Sequence, residues 1–295
     1  MEYAVEIGDK KYPKALKEAL GKLQPNLGPK KLYYKGAWDE EIFRNCLAVV
    51  GSRHLTSYGR RATEQLVTEV AAAGITIVSG FMYGGDEAAH SAAVKCGGRT
   101  IAVMPCGVDL IHPASQKKLY EEILDNNGLI ISEYEGDTQP QNFTYVQRDR
   151  IVAGLSKAVL VTEAALNSGS LITAGYAQKY GRKIFALPGQ IFSEVSKGTI
   201  KLIKEGAEAV TDAQDILQYF KVLINQKKEP AFANASAGKC STLEQKIIEH
   251  LRRESMKADD MARAFCMPVS QIGTTLSLMQ LKGFISLEDN KYHLN

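Results

Sequence analysis

The sequence has no apolar run approaching the roughly 20 residues that a bilayer span needs, so no membrane segment is expected. Cysteine is scarce. Cys46, Cys96, Cys106, Cys240 and Cys266 are odd in number, widely scattered and without a C-x-x-C pair. That argues against a disulfide frame and a zinc site, and for a reducing cytoplasm. Residues Met1 to Glu6 carry neither a basic stretch nor an apolar core, so no secretory leader is expected. Charge of one sign is also in short supply: 36 Lys and Arg against 33 Asp and Glu leave a net +3. A polyanion could therefore be held only by cations gathered locally, not by bulk charge. What is present, 45% hydrophobic and 23% charged residues in a chain of 295, excludes a disordered chain and suits about two ordinary domains.

Four segments emerge along the chain. Residues 1–45, with Tyr12-Pro13, Leu23-Gln24-Pro25 and Leu32-Tyr33-Tyr34, read as one short helix and an extended strap packed on the core. Residues 46–223 alternate short apolar runs with helix-length amphipathic stretches. Residues 224–240, rich in Ala and containing Glu229-Pro230, have linker composition. Residues 241–295 form a small tail module. The apolar runs of the second segment are Leu47–Val50, Ile75–Val78, Thr100–Met104, Leu129–Ile131, Ala158–Thr162 and Lys183–Leu187. Short Val- and Ile-rich runs without alternation fit strands covered on both faces. With helices between them they predict βαβ units, a mostly parallel sheet and an α/β, Rossmann-like fold. In such sheets ligands bind beyond the strand C-termini, near a topological switch point.

The chemistry-bearing motifs fall at those strand ends. Gly51-Ser52-Arg53 ends the first run, with Gly59 near the next helix start. It reads either as an anion cradle completed by that helix N-terminus or as a plain strand-to-helix turn with a surface Arg. The run Ser79-Gly80-Phe81-Met82-Tyr83-Gly84-Gly85-Asp86, followed by His90, is a glycine-rich loop. In it Asp86 and His90 are either a proton-transfer pair or, as the absence of a nucleophile favours, a helix cap and a structural His. Asp109, His112 and Glu133 invite a catalytic or metal-binding reading, but no spacing gathers them. Phe143, Tyr145, Arg148 and Arg150 interleave aromatics with arginines at a helix start, which suits single-stranded nucleic acid. An Arg pair at i, i+2 points to different helix faces, so one of the two is also a candidate buried structural partner. Ser168-Gly169-Ser170 through Thr173 opens another helix with hydroxyls and free amides.

In order and spacing these motifs resemble the DprA/Smf family (DNA processing protein A). The shared marks run from Gly51-Ser52-Arg53 through Val78-Ser79-Gly80, Gly107-Val108-Asp109, Ile131-Ser132-Glu133, Arg148-Asp149-Arg150-Ile151 and Ser168–Ala174 to Pro188-Gly189. The resemblance implies an extended Rossmann-like domain that binds single-stranded DNA without catalysis. It also implies a homodimer that loads a RecA-type recombinase during natural transformation. No cofactor and no metal are expected. By motif, Gly51, Ser52 and Arg53 would hold a phosphate. Gly80, Arg148, Arg150, Ser168, Gly169, Ser170 and Thr173 would line the DNA groove, with Phe143 or Tyr145 stacking on a base. About four phosphate contacts would give a log–log salt slope near −3, at roughly −0.7 per contact. The family usually has Asn where this chain has Asp149, and a carboxylate there weakens phosphate contacts unless it turns inward to an arginine. Ile200–Phe220, with Leu202, Ile203, Ile216, Leu217 and Phe220, offers a candidate dimer face.

The tail reads as three helices closing on a hairpin, and is similar to the winged-helix module of many family members. Its would-be recognition helix, Ser270–Leu281, carries no basic residue before Lys282, which leaves protein contact and weak duplex binding both open. The alternative function is a sensor or hydrolase of a nucleotide-derived ligand using the same pocket. Against it, the hydrolases of related fold carry a Gly-Gly-x-Gly-Thr turn followed by Glu, whereas this chain has Glu163 followed by Asn167-Ser168-Gly169-Ser170.

Overall fold

All six apolar runs become neighbouring strands of one sheet. In the computed structural model, which describes residues 3–21, 28–222, 242–252, 254–288 and 290–294, the first unit carries nine strands. They are β1 (Tyr3–Glu6), β2 (Lys31–Gly36), β3 (Cys46–Val50), β4 (Thr76–Ser79), β5 (Thr100–Val103), β6 (Leu129–Ser132), β7 (Ala158–Val161), β8 (Lys183–Ala186) and β9 (Glu208–Ala209). Their order is β1-β2-β6-β5-β4-β3-β7-β8-β9. From β6 to β9 every pairing is parallel, while β1 and β2 add antiparallel, with Tyr33 opposite Ser132. The fold is α/β and Rossmann-like, with a mostly parallel sheet.

The helices connecting these strands are α1 (Lys14–Gly21), α2 (Ser57–Ala72), α3 (Gly85–Lys95), α4 (Lys117–Asp125), α5 (Asn142–Leu155), α6 (Ser170–Tyr180), α7 (Lys197–Lys204) and α8 (Ala213–Phe220). Strands β3 to β7 are buried along their whole length because helices cover both faces. The period-two alternation divides their side chains cleanly. Cys46, Ala48, Val50, Val159 and Val161 pack with Leu16 of α1, Ile151 and Leu155 of α5, and Ala174 and Ala177 of α6. Leu47, Val49, Ile77 and Leu160 pack with Leu66, Val67 and Val70 of α2, Ala89 of α3, and Ile216 and Leu217 of α8. The last pair corrects the expected dimer face, since both residues are fully buried in the core.

The N-terminal segment does more than strap the core, because it extends the sheet by two strands. Its aromatics form a chain, with Tyr3 stacked 5.5 Å from Tyr34 and Tyr34 4.4 Å from Trp38. Helix α1 approaches α5 where Gly154 presents no side chain; a Cβ there would lie 2.6 Å from Leu16 Cδ1. Arg182 ties the two helices by donating to the carbonyls of Ala15 (2.9 Å) and Gly154 (3.1 Å). The Leu23-Gln24-Pro25 motif and the expected 224–240 linker lie outside the described residues.

The chain divides into two compact units, Met1–Ile224 and Asn225–Asn295. The second holds α9 (Thr242–Leu251), α10 (Ala258–Phe265) and α11 (Val269–Leu281), followed by the antiparallel hairpin β10 (Ile285–Glu288) and β11 (Lys291–Leu294). Ile247, Met261, Ile272, Leu276, Met279 and Ile285 form its core. This is the three-helix-and-hairpin arrangement of a winged helix. Among the described residues no helix is long and apolar enough to cross a membrane.

Candidate functional site

The chain leaves β3 toward β4 on one side and returns at β7 on the other. The loops following β3 and β7 therefore diverge, and a crevice opens between them. It is a cleft of about 610 Å³. Gly51, Ser52 and Arg53 line it from the end of β3. Gly80 and Asp86 enter from the end of β4, and Tyr145, Arg148 and Asp149 from α5. Ser168, Gly169, Ser170 and Thr173 close it at the start of α6. Ten of the twelve residues expected to meet DNA thus share one cleft wall or floor, and two do not.

Arg150 is the first exception, and it corrects the expectation that both arginines line the groove. It is buried and donates to Glu133 at 2.9 Å. Two residues along a helix turn the side chain by about 200°, so Arg148 and Arg150 leave α5 on opposite sides. This pair also places Glu133 against Arg150, and Glu133 is not among the residues lining the cleft. Phe143 is the second exception: it is exposed at the start of α5 but is not part of the cleft wall.

Arg148 is buried too, but beneath the cleft floor. Its Nη1 donates to the Val103 carbonyl at 3.1 Å and lies 4.0 Å from Asp86, and its Nε lies 3.2 Å from Asp149. Gly80 makes this possible, since a Cβ at that position would lie 1.5 Å from Arg148 Nη1. Asp149 therefore does turn inward to an arginine. Burial nevertheless pushes its carboxyl up to about 7, with Arg148 opposing, the neighbouring Asp86 adding to the rise, and Arg53 and a Thr173 hydrogen bond opposing. Burial likewise raises Asp86, against the pull of Arg148 and of the Met82 amide that donates to it at 3.2 Å.

Arg53 is the exposed cation of the cleft. Its guanidinium lies over the Tyr145 ring, 5.4 Å from the centroid. The Tyr145 hydroxyl in turn meets His112 Nε2 at 2.7 Å. His112, expected as a candidate for chemistry, thus orients an aromatic ring at the mouth of the cleft. Partial burial and the nearby Arg53 both hold its imidazole below its ordinary pKa. Asp109 is separate, paired with Lys35 at 2.5 Å. Opposite Arg53, the hydroxyls of Ser168 and Ser170 lie 2.8 Å apart at the start of α6. The Leu171 and Ile172 amides already donate to the carbonyls of Ser168 (3.1 Å) and Gly169 (2.9 Å), so it is the two hydroxyls and the positive end of the helix dipole that favour an anionic group here.

The helix N-terminus expected to complete the Gly51–Arg53 cradle already holds an anion. Glu163, buried just after β7, accepts from the Thr56 amide (2.9 Å) and hydroxyl (2.6 Å) at the start of α2. A Cβ on Gly59 would lie 2.4 Å from that carboxylate. Sequence reasoning missed this cap, which joins residues 107 apart; the only signal was Gly59, a glycine in the first turn of a helix. The Asp86–His90 pair also dissolves. Asp86 is in the first turn of α3, behind an N-cap at Gly84. His90 is buried with Nδ1 2.7 Å from Thr100 Oγ1, and burial drives it down to about 3. Among the described residues no group of three or more His, Cys, Asp or Glu side chains could hold a metal ion.

Residues 4–221 match the family described as DNA recombination-mediator protein A. Protein Smf of Escherichia coli is 36% identical over 249 residues, which cover 83% of this chain and 67% of that protein. DNA processing protein DprA of Streptococcus pneumoniae is 42% identical over 193 residues, 65% of this chain and 67% of its own. The X-ray structure of the S. pneumoniae protein superposes with a TM-score of 0.66 at 38% identity, covering 73% of each chain. A structure of DNA processing protein A from Helicobacter pylori, described for its single-stranded DNA binding mode, superposes with a TM-score of 0.65 at 34% identity over 75% of this chain and 96% of that one. The chain belongs to the DNA recombination-mediator protein A (DprA/Smf) family.

Proposed function

We propose that this chain is a non-enzymatic, cytoplasmic single-stranded DNA-binding protein that works as a homodimer and loads a RecA-type recombinase onto the strand during transformation and recombination. The observation that carries the reading is the convergence of Arg53, the Tyr145 ring and the hydroxyls of the Ser168–Thr173 turn on one cleft. A cation and a helix start can hold successive phosphates while an aromatic ring stacks on a base. The α5 cation Arg150 takes no part, being paired with Glu133. Gly80 serves by admitting Arg148, and Arg148 by holding Asp86 and Asp149 in place.

The geometry also revises the expected salt dependence. Arg53 is the one exposed arginine among the residues lining the cleft, so about one arginine–phosphate contact per protomer gives a slope near −0.7 rather than −3. The test is a gel-shift series with single strands, duplex and RNA at several salt concentrations. Arg53→Ala should weaken oligo-dT binding alike for all sequences and flatten the slope by about 0.7. An unchanged titration removes Arg53 from the site.

A second reading, a nucleotide-derived ligand sensor or hydrolase, is favoured by the cleft volume, which falls in the range of small-ligand pockets. Turnover of a nucleotide by the purified protein supports that reading. Length-dependent oligo-dT binding without turnover supports the first.

A further inference from the structure

Beyond the cleft, the same rim of the sheet carries an apolar knob. After β8 the chain makes a turn closed by the Ser193 amide on the Gln190 carbonyl at 3.0 Å, with Ile191 and Phe192 at its tip. Phe192 is 90% exposed and Ile191 71%. Leu166, on the loop after β7 between cleft-lining Ala165 and Asn167, is 60% exposed. Single exposed apolar side chains are ordinary, but three on neighbouring loops form a patch that forgoes burial and calls for a ligand.

The knob is held firmly and is tied to the loop after β7 that forms part of the cleft wall. The Ala164 amide donates to the Val195 carbonyl at 2.6 Å, and the Gly198 amide to the Ala164 carbonyl at 2.7 Å. The Tyr58 hydroxyl donates to the Pro188 carbonyl at 2.8 Å, adding a second exposed ring to the same rim. Gly189 lets Ser196 close in behind the turn; a Cβ there would lie 2.2 Å from Ser196 Oγ. Strand β8 is the direct neighbour of β7, so its loop is one strand spacing, about 5 Å, further along the sheet edge. A strand leaving the cleft past the Ser168–Thr173 turn meets this knob next.

We propose that Phe192, with Ile191 and Leu166 beside it, is a stacking platform for the bases of a single strand that runs out of the cleft. This rests on the reading of the cleft as a single-strand site. An exposed aromatic on a fixed turn stacks on any base, since every base has a π-face, and it therefore extends the site without imposing sequence.

The test compares a 20-nucleotide oligo-dT with an abasic strand of equal length, using the full chain and its Phe192→Ala and Phe192→Tyr variants. Phe192→Ala should weaken oligo-dT binding about 5- to 150-fold and leave the abasic affinity unchanged, while Phe192→Tyr retains the wild-type affinity. The side chain is solvent-exposed, so an unchanged melting temperature accompanies both. Wild-type binding of oligo-dT by Phe192→Ala overturns the platform and leaves the rim to a protein partner. An equal loss on the abasic strand also overturns it, because no base is then involved. Arg53→Ala, measured alongside, separates the two levels: if it binds oligo-dT like wild type, the cleft reading itself has failed.

Discussion

Replacing Asp149 by Asn tests the electrostatics of the cleft most sharply. The carboxyl rises from 3.8 to about 7 in the folded chain, chiefly through burial. A carboxyl raised on folding binds its proton more tightly in the folded state. Its contribution is fully present below pH 4 and is lost as pH rises through 7. Three pH units at 1.36 kcal/mol each make the ionised group cost at most about 4 kcal/mol at pH 8. Asn keeps the size and an acceptor for Thr173 without the charge. Urea unfolding at pH 5, 6, 7 and 8 should show wild-type stability falling with pH more steeply than that of the variant, which keeps only the raised Asp86, so that Asp149→Asn is the more stable protein above neutrality. Although its carboxyl turns to Arg148, Asp149 also lines the cleft, so the charge gained on ionisation opposes a phosphate bound there. Oligo-dT affinity of the wild type should therefore fall with rising pH, by up to about tenfold per unit above 7, and Asp149→Asn should lose that dependence. Parallel stability curves for the two proteins from pH 5 to 8 would refute the reasoning.

Three further substitutions probe the supports of the site. Gly80→Ala drives a Cβ into the Arg148 guanidinium and displaces it from the Val103 carbonyl; a destabilisation of about 3–5 kcal/mol in urea titration is expected, typical of a buried charge losing its partners. Glu163→Ala strips the Thr56 amide and hydroxyl of their acceptor and should cost about 1–3 kcal/mol, with Glu163→Gln costing less. Glu133→Ala leaves Arg150 charged and buried, and should lower the melting temperature strongly while the oligo-dT affinity of the remaining folded protein stays at the wild-type value.

The sheet was legible because each of its core strands is a short apolar run that both faces bury, and that pattern survives any detail of packing. Strands β1 and β2 were not, since Tyr3–Glu6 and Lys31–Gly36 are polar or aromatic and partly exposed; nothing but their pairing makes them strands. Helix α5 begins at Asn142, where the Thr144 hydroxyl donates to the Gln141 carbonyl (2.8 Å) and sets its start. Within the site, glycine loops and hydroxyl turns at strand ends announced the cleft, and helical geometry warned that only one arginine could face it. What stayed hidden was whether the α2 N-terminus was free. Glu163 fills it from across the sheet, and no local pattern encodes a contact of that span.

The claim at the centre is that an unpaired strand lies in the cleft between the β3 and β7 loops. Photocrosslinking with oligonucleotides carrying 4-thiothymidine, followed by peptide mass spectrometry, tests it directly. Crosslinks on the peptides holding Tyr145 and residues 165–173 are the expected result, fading in Arg53→Ala. Crosslinks confined to α11 and the hairpin of the second unit, with the cleft peptides unmodified at saturating strand, would contradict it.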